Sequence, residues 1–134
     1  MDESTTKQKM MDSVTQKIKE ELDEYLTPLN IRSTIYQTNI SEEDPTIIIK
    51  LHAWHGESFR SHFDIDRLHE LCYGINIQET STGTIALIIS NFEVEHKSLD
   101  SVSDIDFVVA LNSFLDRGRE IKCALSWPCR QDKE

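Results

Sequence analysis

A single α+β domain, with a largely antiparallel twisted sheet packed by helices, is the fold class this 134-residue chain predicts. Three observations lead there. Apolar residues recur at steps of three and four near both ends of the chain, and at steps of two through its centre. Hydrophobic residues make up 38% and charged residues 28%, enough to bury a core and too apolar for disorder. No repeat, linker or low-complexity run divides residues 1–134. The expected order is α-β-β-β-α-β-β-α-β, with 129–134 as a polar tail.

The first helix is predicted over about 4–27. Met11, Val14, Ile18, Leu22, Tyr25 and Leu29 form one narrow stripe, and Lys17, Lys19, Glu20, Glu21, Asp23 and Glu24 cover the remainder. Thr27-Pro28 closes it, because the residue before proline is pushed out of the helical region. Such a stripe seeks a cover, either the sheet or a copy of itself, so residues 1–30 also allow a homodimer. The sheet is the better cover, since the stripe does not keep a strict seven-residue repeat.

A strand follows over Ile31–Thr38, then the acidic, proline-ended loop Glu42-Glu43-Asp44-Pro45. Thr46–Ile65 predicts a hairpin turning at His55-Gly56-Glu57, with Ile47, Ile49, Leu51, Ala53, Phe59, Phe63 and Ile65 on one face. Its other face holds Lys50, His52, Trp54, Arg60, His62 and Asp64. A short helix over about Asp66–Tyr73 buries Leu68, Leu71 and Cys72, and Gly74 can supply its left-handed cap. Ile75–Glu79 and Thr84–Val94 form a second hairpin. Its longer strand, apolar on both faces near Ala86–Ile89, belongs at the centre of the sheet.

The third helix starts near Ser103 and is expected to end at Arg117-Gly118. Apolar residues surround most of it, with Val108, Leu111 and Leu115 taken as core and Phe107 and Phe114 left open. Ile121, Cys123, Leu125 and Trp127 alternate as a last strand stopped by Pro128.

The composition restricts function as well as fold. A net charge of −10 excludes a nucleic-acid binder, which needs clustered Lys and Arg against phosphate, and favours a basic protein partner. No apolar run approaches the ~18 residues of a membrane span, and MDESTTKQKMM has no apolar signal core, so a cytoplasmic location is expected. Cys72, Cys123 and Cys129 have neither the number nor the spacing of a disulfide framework or a zinc knuckle.

Catalytic patterns are weak. His52, His55, His62 and His69 fall within eighteen residues, and His52 with His62 on one hairpin face, aided by Asp64 or Glu57, suggests a small metal-dependent enzyme as one reading. Lys50 opposite His62 opposes a bound cation, so no metal, cofactor or catalytic residue is assigned. His55-x-Glu57 with Pro128-Cys129 matches part of a zinc deaminase signature, but Asp132 stands where the second thiolate is required.

Recognition remains. Exposed Trp and Arg anchor protein interfaces, which makes Trp54 and Arg60, with His52, His62 and the carboxylates of Glu42, Glu43 and Asp44, the candidate partner-binding residues. In order of elements, size and charge the chain loosely resembles small acidic type III secretion chaperones, which implies binding an effector segment; the strand Ile121–Trp127 departs from that pattern. Small acidic immunity-type inhibitors, built to mask a basic surface of a partner, fit the same features. The primary expectation is a non-catalytic, inhibitor-type protein binder.

Overall fold

The computed structural model describes residues 3–53, 65–72, 74–81 and 83–131. Its elements are α1 (Glu3–Leu26), β1 (Ile31–Gln37), β2 (Thr46–Ala53), α2 (Ile65–Leu71), β3 (Ile75–Ser81), β4 (Thr84–Ser90) and α3 (Asp104–Gln131), with short 3-10 turns at Thr27–Leu29, Phe92–Val94 and Leu99–Ser101. The four strands form one antiparallel sheet in the order β1-β2-β4-β3, so β4 is central as its two apolar faces require. The α+β class is the expected one.

Register decides which face each strand buries. Ile35 pairs with Ile49, Ile49 with Leu87 and Leu87 with Ile77, which puts Ile47, Ile49, Leu51, Ile75, Ile77, Ile85, Leu87 and Ile89 on one face. All are buried, in a single core with Met11, Ile18, Leu22 and Leu26 of α1, Ile65 and Leu68 of α2, and Phe107, Leu111 and Phe114 of α3. The helices therefore share one side of the sheet. The α1 stripe finds its cover within the chain, against β1 and α3. A polar seam reinforces the first contact: buried Ser33 donates to Asp23 at 2.7 Å, Lys19 donates to the Ser33 carbonyl oxygen at 3.2 Å, and Gln37 donates to Asp12 at 2.6 Å.

Several expectations are corrected. The strand predicted at Ile121–Trp127 is helix, because α3 continues through it to Gln131. Ile121, Ala124 and Leu125 are buried while Cys123 is exposed, a three- and four-residue spacing in place of alternation. Gly118 does not end the helix; it lets α1 approach, and a Cβ there would lie 3.0 Å from both Cγ1 and Cγ2 of Ile18. Within α3, Phe107 and Phe114 are core, whereas Val108 is 45% exposed and Leu115 is half-buried. Leu71 of α2 is largely exposed, while Cys72 is buried and Gly74 takes the left-handed conformation expected of a cap, φ 87°. The strand predicted at Phe59–Ile65 lies outside the described residues except for Ile65, which opens α2; both edges of β2 are occupied, by β1 and β4.

Candidate functional site

Two surfaces on this scaffold carry recognisable chemistry, and β2 separates them. Eight strand residues at about 3.3 Å each put its ends more than 20 Å apart. The acidic loop precedes Thr46 at one end, and His52 stands at the other. The acidic loop and His52, both candidate partner-binding positions, thus stand at the two ends of β2. Trp54, Arg60 and His62 lie outside the described residues.

The acidic end is built by two loops that hold each other. Ile40 and Pro45 are buried, which anchors the β1–β2 loop at two points. The Asp44 amide donates to the Lys97 carbonyl at 3.2 Å, the His96 amide donates to Asp44 Oδ1 at 2.7 Å, and the Asp100 amide donates to the Ile40 carbonyl at 3.1 Å. Glu43 and Ser98 form an antiparallel bridge. Asp44 and His96 both take left-handed backbones, φ 55° and 66°, conformations that non-glycine residues hold only under such constraint. Folding thus gives Asp44, one of the candidate partner-binding residues, a structural role of its own. Glu42, Glu43, Glu93, Glu95 and Asp100 remain exposed on these loops, against His96 and Lys97 on the same loops and Lys9 of α1, which lines a cleft with Ile40 and Asp100.

The first half of α3 adjoins this end. Ser103 caps it, its hydroxyl accepting from the Asp106 amide at 3.2 Å. Buried Lys7 of α1 donates to the Val102 carbonyl at 2.8 Å and the Leu99 carbonyl at 3.4 Å, with its ammonium 5.2 Å from the centre of the Phe107 ring. Asn91 donates from its side-chain amide to the Ala110 carbonyl at 2.8 Å, which fixes the Phe92–Val94 turn on the helix. With Phe107, Ala110, Leu111 and Phe114 turned to the core, Ile105, Val108 and Val109 share the opposite side. Ile105 is 75% exposed, Val109 45%, and Phe92 on the adjoining turn 59%. Three exposed β-branched residues thus lie on one helix face, and the turn that carries exposed Phe92 is pinned to the same helix. Sequence reasoning missed it because apolar residues surround this helix, and only Ala110, an inward residue of low hydrophobicity, marks which side turns in.

The second surface is the sheet face away from the helices. Its rows run Arg32, His52, Thr84; Thr34, Lys50, Ala86, Gln78; and Tyr36, Ile48, Ile88, Asn76. None of these residues belongs to the core that the helices close. The Lys50 ammonium lies 5.5 Å from the centre of the Tyr36 ring, and His52 Nδ1 is 3.3 Å from the Thr84 hydroxyl. Partial burial first, then the Arg32 and Lys50 charges, hold the His52 imidazole below its ordinary range. The described positions of this face include no carboxylate.

Among the described residues no group of three or more His, Cys, Asp or Glu is placed to hold a metal ion, and no helix is long and apolar enough to cross a membrane. Cys72 is buried, and that burial, with the Glu120 carboxylate nearby, pushes its thiol up to about 11, the wrong direction for a nucleophile. No protein-family model, no curated protein and no solved structure matches this chain.

Proposed function

We propose that this protein is a non-catalytic binder of the inhibitor or immunity type, which masks a basic, partly apolar surface of a partner protein with its acidic end and the outer face of α3. What supports the reading is the exposure of Ile105, Val108 and Val109 on α3 and of Phe92 on the turn pinned to that helix, together with the exposed carboxylates of Glu42, Glu43, Glu93, Glu95 and Asp100 on the neighbouring loops. Apolar side chains at the centre supply affinity, and a charged rim supplies steering and selectivity. Mutual anchoring of the two loops means little ordering cost on association. The net charge of −10 accelerates the approach of a basic partner.

A Lys/Arg-rich amphipathic peptide serves as the probe. Glu42→Gln, Glu43→Gln and Glu95→Gln together should lower its association rate and flatten the salt dependence, with dissociation little changed. Val109→Asp should act mainly on dissociation. Binding indifferent to both sets of changes removes the proposal. A secretion-chaperone-like role, holding an effector segment, would use the same surface and differ in the partner's being unfolded when bound.

A metal-dependent enzyme at His52 has less support, because Arg32 and Lys50 flank that imidazole and repel a cation. Stoichiometric zinc in purified protein, lost in a His52→Ala, His62→Ala double variant, would reinstate it.

A further inference from the structure

We propose that the open face of the sheet is a second binding surface, which takes an extended, carboxylate-bearing segment of a partner protein across Arg32, Lys50 and His52. The first ground is charge. The chain has 24 acidic against 14 Lys and Arg residues, so cations normally find carboxylates. Five elsewhere do: Lys19 meets Asp23, Arg67 meets Glu70, Arg117 meets Glu120, Arg119 meets Glu21 and Lys122 meets Glu24. On this face Arg32 stands directly opposite His52, and Lys50 lies two residues along the same strand, with no carboxylate on any described position of the face. Arg32 and Lys50, diagonal neighbours across β1 and β2, repel each other, and their charges add to the partial burial that lowers the His52 imidazole. An anion laid between the two cations relieves that repulsion.

The second ground is the shape and chemistry around the cations. Ala86, the smallest side chain on the face, sits between Lys50 and Gln78 in the middle row and is buried beneath its neighbours, so the longer side chains around it form the surface. Thr34, Thr84, Gln78 and Asn76 offer hydroxyl and amide groups on either side, and Ile48, Ile88 and Tyr36 form an apolar row along one margin. A segment alternating acidic and aliphatic residues would set carboxylates on the cations and aliphatic groups on that row.

Nucleic acid is the less favoured anion. Arg32 and Lys50 allow about two phosphate contacts, where binding at physiological salt draws on roughly 6–10, and the molecule's net charge of −10 repels a polyanion.

The proposal is independent of the acidic end, and separate variants keep the two apart. A short fluorescent peptide of alternating Glu and Leu, titrated with the full chain at low salt, should bind saturably. Arg32→Glu with Lys50→Glu should weaken it about tenfold or more, the scale of reversing a cross-interface charge pair, while Val109→Asp leaves it unchanged. The Lys/Arg-rich probe should show the reverse pattern. Amide shifts on binding should fall on Thr34, Lys50, Ala86 and Gln78. Circular dichroism melts of the Arg32→Glu, Lys50→Glu variant, both sites lying off the core, should match the parent. No saturable binding overturns the proposal, and so does binding that survives the charge reversal. Tighter binding of an oligonucleotide of equal charge, or self-association abolished by Arg32→Glu, would assign the face to nucleic acid or to a second copy instead.

Discussion

Gly118 opposes two preferences at one position. Alanine is better than glycine in a helix by about 1 kcal/mol, yet its Cβ would press within 3.0 Å of two Ile18 carbons that are themselves buried. Overpacking costs typically 1–3 kcal/mol, so Gly118→Ala should destabilise, and Ile18→Ala should make the same substitution favourable; a double-mutant cycle by urea denaturation measures the coupling. The glycine was read as a helix end because sequence offers the residue type without the neighbour that uses it. His52 gives a second expectation. Its imidazole is depressed in the folded chain, so near 6.5 the unfolded chain binds more protons and stability rises with pH. Stability should fall as pH drops from 6.5 through the native value, and His52→Gln should flatten that part of the melting curve. Cys72, held up to about 11, should resist alkylation in a Cys123→Ser, Cys129→Ser background until the chain unfolds.

At the scale of elements, α3 supplies the sharpest contrast. Phe107→Ala and Phe114→Ala should each cost about 3–5 kcal/mol and Leu111→Ala about 2–5, as cavities left at buried sites. Val108→Ala and Val109→Asp should stay within about 0.5 kcal/mol, the range of surface changes. Thermal melts of the five variants would separate the two sides of the helix. Its buried line, Phe107, Ala110, Leu111, Phe114, Gly118, Ile121 and Leu125, keeps helical spacing throughout. Ala110 and Gly118 contribute to it through small size, which a hydrophobic pattern overlooks, while Ile121, Cys123 and Leu125 happen to alternate. Elements whose apolar period is unambiguous were legible: α1, the β3–β4 hairpin and the central place of β4. The acidic loop was visible as composition, but its clasp on His96 and Lys97 depends on a contact between segments some fifty residues apart.

Across the whole molecule, charge is distributed unevenly in a way that the net value conceals. A carboxylate-rimmed end and a cationic sheet face stand at opposite ends of one strand, so the chain has a direction as well as a sign. Salt should therefore weaken both proposed partners while acting on different residues, as the paired charge variants would report. The seat of Ile18 on Gly118 adds an expectation about time. The strands pair with near neighbours in sequence within each hairpin, whereas the α1–α3 seam joins residues about a hundred apart, as Tyr25 and Leu125 do. Closing so long a loop is entropically slow, which places the seam late on the path to the native state. Gly118→Ala should then hasten unfolding and leave the refolding rate nearly unchanged, both limbs being read from stopped-flow kinetics in urea. Until α3 has been synthesised, the stripe of Met11, Ile18 and Leu22 lacks part of its cover, so a nascent chain carries that stripe partly bare while all four strands are made.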